Sequence, residues 1–359
     1  MIALVTGATG FIGGSLAASL SASGWEVRVV VRGSSRTRLR GSERYRVFEA
    51  DLAGSAGVLE KAIAGCDVAF HAAAIRDRWG TTPEEYRQAN VEGTRRLLAT
   101  AAGRALRFVY ISSVGVLGWP GVDGIDESFP VDVRPGQIDY HGTKAAAEQL
   151  VRAWRGGVDT VVVRPTITYG PGDVDGMLTR LIRLIARGRF VRIGRGENRL
   201  HLTYIDDLVQ GLILAGTHPS APGETFILAG PGPILVRELI GQIDQALGLD
   251  PPSLYLPECL ARQIARGVEA LYRAAGELGR LRPRSSPPVT SDKLNVLCAH
   301  RSFSSAKAAR LIGYTPRVDY PAGLTSTLAW MRQMQLLPSP PDVTTAPVAA
   351  AQCPKKKIA

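Results

Sequence analysis

Aromatic residues make up only 6% of the chain, and its four cysteines, Cys66, Cys259, Cys298 and Cys353, stand far apart with no C-x-x-C pair. That spacing offers neither a zinc site nor a disulfide framework, so no metal is expected and a reducing cytoplasm fits best. Also missing is any run of about 18 uninterrupted apolar residues, which argues against a transmembrane helix. The apolar start, Met1 to Val5, is too short for a signal-peptide core and runs directly into a glycine motif, so it reads as a strand. Pure basic runs are absent apart from Lys355 to Lys357; the formal charge of +11 comes mostly from arginines scattered between Arg28 and Arg332. Nucleic acid is therefore not an expected partner. What is present, 359 residues at 45% hydrophobic and 21% charged with 39 glycines and 23 prolines, describes a soluble globular protein. The length suits about two domains.

Short apolar runs alternate with longer helical patterns from Met1 to about Val163, the signature of a parallel sheet with crossover helices. Strands are expected at Ile2 to Thr6, Val27 to Val31, Arg46 to Phe48, Val68 to His71, Phe108 to Ser112 and Thr160 to Val163. Helices are expected at Ser15 to Ser23, Pro83 to Ala102 and Tyr140 to Trp154. Beyond Gly170 the pattern loosens into helices at Asp173 to Arg187, Ile205 to Ala215 and Leu235 to Leu247, with short strands near Val191 and Phe226. Pro257 to Arg282 reads as one long helix with Leu260, Ile264, Val268, Leu271, Ala275 and Leu278 on one stripe. The expected fold is α/β: a Rossmann-type doubly wound parallel sheet (1–170) and a smaller mixed α/β C-terminal substrate-binding portion (171–337). The chain is expected to cross back near 200–230, and 338–359 reads as a disordered tail. There is no internal repeat.

Thr6-Gly7-Ala8-Thr9-Gly10-Phe11-Ile12-Gly13 follows the first strand and opens the first helix. Its three glycines permit a tight turn, a close backbone approach to a pyrophosphate and close packing of helix on sheet, and the helix N-terminus offers free N–H groups to phosphate. A carboxylate that would hold the adenosine ribose of NAD is lacking after the second strand. Val31-Arg32-Gly33-Ser34-Ser35-Arg36 has no acid, and Glu26 lies at the strand's other end. A guanidinium at Arg32 suits a 2′-phosphate, which favours NADP over NAD. Tyr140 and Lys144, four residues apart at the start of a helix, share one face about a turn apart. An ammonium beside a phenol stabilises the phenolate, and bringing a pKa of ~10 toward neutrality needs roughly 4 kcal/mol of differential stabilisation. About thirty residues earlier, a strand ends Val109-Tyr110-Ile111-Ser112-Ser113, with a hydroxyl over the cofactor crevice.

Taken together these motifs resemble the extended short-chain dehydrogenases/reductases of the NAD-dependent epimerase/dehydratase group. The resemblance runs through Thr6 to Gly13, Asp51-Leu52, His71-Ala72-Ala73-Ala74, Asn90-Val91-Glu92-Gly93-Thr94, Ser113, Tyr140 with Lys144, Arg164-Pro165 through Gly172, and His201 to Leu208. It implies Ser113, Tyr140 and Lys144 as the catalytic group. It implies cofactor contacts from Gly7, Thr9, Gly10, Phe11, Ile12, Gly13, Asp51, Leu52, Ala72, Ala73, Asn90, Tyr140, Lys144 and Pro165, to which the residue reading above adds Arg32. Sugar-nucleotide members usually carry Asn three residues after the arginine matching Arg164, where its amide holds a diphosphate; this chain has Ile167, and an apolar substrate is implied instead. The ending, Pro287-Pro288-Val289-Thr290, then Arg301 to Ala308 and Leu311 to Pro316, is similar to the 3β-hydroxysteroid dehydrogenase and sterol-4α-carboxylate dehydrogenase branch. In some members of that branch a hydrophobic helix at the place of 257–282 meets a membrane; the favoured reading here is a helix packed on the substrate domain or on the partner of a homodimer. Trp79, Trp119 and Ile167 are expected to line the substrate. His71 and His141 are expected to take no catalytic part, since His71 ends a buried strand and His141 points away from Lys144. The expected reaction is hydride transfer between the nicotinamide and a secondary alcohol or ketone. A nucleotide-sugar or hopanoid-type epimerase is the rival enzyme, and a non-catalytic NADP-binding regulator the rival outside enzymes.

Overall fold

The structure, a computed structural model, describes every residue except 55, 77–78, 133–138, 251–254, 278–286, 288 and 339–359. The short apolar runs form strands whose side chains alternate between two cores. Ala3, Val5, Val27, Val29 and Val31 face one core, while Leu4, Val30, Ala69 and Phe108 face the other. The strands are β1 (Ile2–Thr6), β2 (Glu26–Val31), β3 (Arg46–Glu49), β4 (Val68–His71), β5 (Arg107–Ile111) and β6 (Asp159–Pro165). The helices between them are α1 (Phe11–Ala22), α2 (Ala56–Ile63), α3 (Pro83–Tyr86), α4 (Gly93–Ala101) and α5 (Tyr140–Arg152). Helices α2, α4 and α5 pack on the second core and α1 on the first.

The second half continues with β7 (Ile167–Tyr169), α6 (Met177–Ala186), β8 (Arg192–Ile193), β9 (Arg199–Leu200), β10 (Leu202–Tyr204), α7 (Ile205–Thr217), β11 (Thr225–Leu228), β12 (Ile234–Leu235) and α8 (Val236–Leu247). It ends with β13 (Tyr255–Leu256), α9 (Glu258–Glu277), α10 (Ser291–Cys298), α11 (Ala306–Ile312) and α12 (Tyr320–Gln333). The main sheet is parallel, in the order β11-β6-β5-β4-β1-β2-β3. Strand order reverses between β1 and β4, where a doubly wound sheet opens its ligand crevice. Through α7 and β11 the chain returns to this sheet, with α7 sharing the core of α1. Among the described residues no helix is long and apolar enough to cross a membrane.

Three expected helices differ in the structure. α1 begins at Phe11 rather than Ser15: Gly13 and Gly14 weaken the periodic signal of its first turn, yet that turn needs a glycine, because a Cβ on Gly13 would stand 2.5 Å from the Gly7 carbonyl oxygen. The single helix expected from Pro83 to Ala102 is interrupted by a π-helical stretch, Arg87–Glu92. This wider turn lets the Asn90 amide donate to the Ile75 carbonyl oxygen (3.1 Å) and the Thr143 hydroxyl (3.0 Å), while its own oxygen accepts from Ile75 N (2.8 Å). α6 starts at Met177 rather than Asp173, because the Asp173 carboxylate turns inward to accept from Gly176 N at 2.8 Å. The long helix also sits differently from its stripe. α9 packs through Ala261 and Ala265, small residues that admit a close approach, against Leu294 of α10, whereas Leu260, Ile264 and Leu271 stand exposed. Its expected continuation to Arg282, and the tail from 339 onward, lie outside the described residues.

A buried polar chain ties β1 to β4. Thr94 donates its hydroxyl to the Asn90 carbonyl (2.6 Å), so the 2.9 Å contact with His71 Nε2 must have the histidine as donor. His71 Nδ1 then accepts from Thr6 Oγ1 at 2.7 Å. Burial first, and the Lys144 charge second, pushes His71 down to about 3. The unfolded chain therefore binds more protons than the native one between the ordinary imidazole value and about 3. Stability is lost as pH falls through that window, by up to ~1.4 kcal/mol per unit. Urea titrations at decreasing pH should record the loss, and His71→Asn should flatten it; equal slopes in the two proteins would remove His71 from this account.

Candidate active site

The glycine loop lies at the switch between β1 and β4. Gly7 has φ +76° and is so close to the end of β4 that a Cβ would stand 2.7 Å from Ala73 N and 2.8 Å from the Ala72 carbonyl carbon. The N-terminus of α1 has Gly10 in extended conformation, no side-chain cap and no acidic residue in its first turn. Uncapped N–H groups, positive helix dipole and a cradle that excludes any Cβ together fit a dinucleotide pyrophosphate. Thr9 and Ile12 are half-buried in the same turn, and the Phe11 ring faces Gly172. Asp51, exposed just past β3, accepts from Ala53 N, and Leu52 lies against Gly93. Pro165 closes β6 beside Leu228. Asn90, whose polar groups are engaged as described above, clips the loop after β4 to α5.

Arg32 is exposed and opens the 3-10 turn Gly33–Arg38. Among the described residues it has no ion pair. Arg36 in that turn is paired with Glu49 from the end of β3, and Glu49 Oε2 lies 3.4 Å from where a Cβ on Gly33 would be. A carboxylate therefore does approach this loop, supplied by the neighbouring strand and occupied by an arginine, which the reading of β2 alone did not find.

Ser113 caps a short 3-10 turn, Val114–Leu117, its Oγ accepting from Gly115 N at 3.0 Å. The Ser113 hydroxyl proton stays available for another acceptor. Asp139 caps α5 by accepting from Gly142 N at 2.8 Å, which sets Tyr140 as the first helical residue. One turn on, Lys144 is 2% exposed; its Nζ donates to the Ile111 carbonyl at 2.5 Å and stands 4.1 Å from the Tyr110 ring centroid. Burial brings Lys144 down to about 7, the Glu148 charge opposing that shift. The ammonium is thus anchored at the carboxyl end of β5, two residues before Ser113. His141 lies edge-on to Tyr140, at 5.1 Å between centroids, and against Gly115, where a Cβ would stand 2.4 Å from its Nδ1. Ser113 and the start of α5 meet across that glycine.

Beneath this cluster lies a buried network that the motifs did not announce. Glu148, one turn beyond Lys144, pairs with Arg164 of β6 at 2.5 Å, with both side chains at most 1% exposed. Ser112 donates to the same carboxylate at 2.7 Å. The i, i+4 spacing of Lys144 and Glu148 was the one signal in the sequence that could have found it.

The expected substrate-lining residues are dispersed. Trp79 has the Arg273 guanidinium of α9 at 5.8 Å from its ring centroid, so this helix borders the loop after β4. Trp119 carries the Arg301 guanidinium on its face at 3.5 Å, so this wall is not purely apolar as expected. Ile167 starts β7 and packs on the first core. Among the described residues no group of three His, Cys, Asp or Glu could hold a metal ion.

The profile of the NAD dependent epimerase/dehydratase family matches residues 3–229. The chain is 32% identical over 332 residues to a 4-hydroxy-2-methyl-3-oxo-4-farnesyl-3,4-dihydroquinoline-1-oxide ketoreductase of Stigmatella aurantiaca, covering 90% of this chain and 95% of the relative. It is 32% identical over 342 residues to a 3 beta-hydroxysteroid dehydrogenase/Delta 5-->4-isomerase of Mycobacterium tuberculosis, covering 91% of this chain and 89% of the relative. A UDP-glucuronic acid 4-epimerase from Bacillus cereus, solved in complex with NAD, superposes with a TM-score of 0.72 at 23% identity over 93% of this chain and 99% of that one. The likeness to the epimerase is one of fold.

Proposed function

The chain belongs to the NAD-dependent epimerase/dehydratase family and is an NAD(P)-dependent oxidoreductase, and from that premise we propose that it transfers hydride between the nicotinamide and a secondary alcohol or ketone carbon of a largely apolar substrate. The observation that carries the proposal is the buried Lys144 ammonium, fixed to the Ile111 carbonyl one helical turn from Tyr140 and two residues from Ser113.

The nicotinamide supplies the hydride-carrying carbon, C4 of its ring. In reduction Tyr140 donates its hydroxyl proton to the substrate oxygen, and in oxidation it removes one. Lys144 stabilises the phenolate that forms. The Ser113 hydroxyl, with one lone pair taken by Gly115 N, donates to the substrate oxygen and holds it toward Tyr140. The uncapped N-terminus of α1 and the Gly7 cradle would hold the pyrophosphate. Ile167 offers no donor to a sugar diphosphate, which counts against the epimerase reading and leaves its aliphatic surface to the substrate body. A fall of the reduced-nicotinamide absorbance with aliphatic or steroid ketones supports the proposal. Turnover of UDP-sugars with no net change in the cofactor would replace it.

NADP is the preferred dinucleotide. Among the described residues Arg32 has no ion pair and is free to take a 2′-phosphate, while Glu49, a carboxylate beside the loop, is held by Arg36. Arg32→Asp should lower the NADPH:NADH ratio of kcat/KM by roughly 10- to 100-fold, the worth of one charged hydrogen bond. An unchanged ratio would make Arg32 a bystander.

A further inference from the structure

Lys144 meets two consecutive residues of β5. Its Nζ donates to the Ile111 carbonyl at 2.5 Å and stands over the ring of Tyr110, 4.1 Å from the centroid. Tyr110 is 1% exposed, and among the described residues its hydroxyl has no hydrogen-bond partner. It is therefore the face of this ring, not its oxygen, that answers the ammonium. Burial first, then the charges of Tyr140 and Glu148, holds the Tyr110 phenol well above its ordinary value. Tyr110 thus stays neutral and does not compete with Tyr140 for the proton.

The strand holds this ring in place. β5 runs between β4 and β6, with Tyr110 opposite His71 on one side and Val162 on the other, and the Tyr110 ring leans on the His71 ring at 5.8 Å between centroids. A lysine side chain has a flexible four-carbon stem, so a carbonyl and a ring face from one rigid strand are what give its end a single position. The ring attracts the charge through its quadrupole, and only one of the three N–H groups is spent on Ile111. The other groups facing Lys144 do not do this. Glu148, on the same helix, is engaged by Arg164 of β6 and Ser112, and burial takes His71 of β4 down to about 3, which leaves it uncharged.

We infer that Tyr110 is a positioning residue: the face of its ring, together with the Ile111 carbonyl, holds the Lys144 ammonium one helical turn from Tyr140. Its consequence for turnover rests on the hydride-transfer reading, whereas its hold on Lys144 does not. The contact acts on the charged form alone, so it opposes the burial that pulls Lys144 down to about 7. Without the ring the lysine is neutral over more of the working pH range, and the Tyr140 phenolate loses its cation.

The test reads Lys144 directly. The chain has seven lysines, so carbon-13 at their Cε atoms gives few signals, and the one missing from Lys144→Met is that of Lys144. In the full native chain this signal should titrate at about 7. Tyr110→Phe keeps the ring face and should keep the inflection, while Tyr110→Leu should lower it by about one pH unit, the worth of a desolvated cation–π contact. Because Tyr110→Leu also alters packing, trifluorophenylalanine placed at 110 is the second variant: fluorine drains charge from the ring face and keeps its shape, so the inflection should fall there too. In the reduction of an aliphatic ketone by NADPH, both variants should lose roughly 3- to 10-fold in kcat at neutral pH with little change in KM, and their alkaline limb should move to lower pH by the same amount as the inflection. An inflection equal in the phenylalanine and trifluorophenylalanine proteins would overturn the inference. So would a Tyr110→Phe protein that titrates like Tyr110→Leu, since the hydroxyl would then be what matters. A shifted Lys144 signal in a chain whose native form reduces no ketone would leave the hold of Tyr110 on Lys144 standing and remove the hydride-transfer reading.

Discussion

Tyr140→Phe is expected to lower kcat by roughly 10³-fold while leaving cofactor affinity nearly intact, a loss within the range that a positioned acid/base contributes. Only the hydroxyl is removed; the ring that packs on His141 is kept. The Gly7 cradle and the α1 N-terminus, which are proposed to hold the cofactor, are untouched. Single-turnover rates and NADPH binding measured on the same preparation separate the two effects. Lys144→Met should damage both, because it removes the cation at the strand end where Ser113 begins its turn. A Tyr140→Phe protein with native turnover would show that the proton is carried elsewhere.

The second large effect is on stability. Glu148→Ala should cost about 3–5 kcal/mol, because it leaves the Arg164 guanidinium buried and uncompensated and strips Ser112 of its acceptor. Urea unfolding of the two proteins measures it; a loss under ~1 kcal/mol would mean that water or backbone satisfies Arg164. Glu148→Gln, which keeps the shape, reads a different property. The Glu148 charge raises Lys144 against the pull of burial, which leaves it at about 7. Reduction needs the ammonium charged and the phenol protonated, so its rate falls as pH rises through the Lys144 value. Removing the Glu148 charge should move that alkaline limb to lower pH, a change that a purely structural role would not produce.

The strands that carry the cofactor crevice were legible because each is a short apolar run ended by glycine, small residues or a charged turn; β1 and β4 coincide with their expected ranges. The pairing of Tyr140 with Lys144 on one helix face was legible because that spacing is local, whereas the approach of Ser113 to the start of α5 across Gly115 comes from the fold. Other features that depend on packing were not legible either. The π-turn at Arg87–Glu92 leaves no trace in a 3.6-residue periodicity, yet it aims Asn90 at Ile75 and Thr143. The stripe of Leu260, Ile264 and Leu271 suggested a packed face, but Ala261 and Ala265 allow the closer approach and win the contact. Arg301 stood in the closing motif without a role, since only the fold shows that its guanidinium meets Trp119 rather than a carboxylate.

The central claim is net hydride transfer at the Ser113, Tyr140 and Lys144 cluster. Its most direct test is to supply NADPH deuterated at C4 together with an aliphatic ketone and to follow the label by mass spectrometry. The account predicts one deuterium on the new carbinol carbon for each NADPH oxidised, with the signal lost in Tyr140→Phe. Deuterium that stays on the cofactor, while a UDP-sugar is epimerised by the native protein, would contradict it.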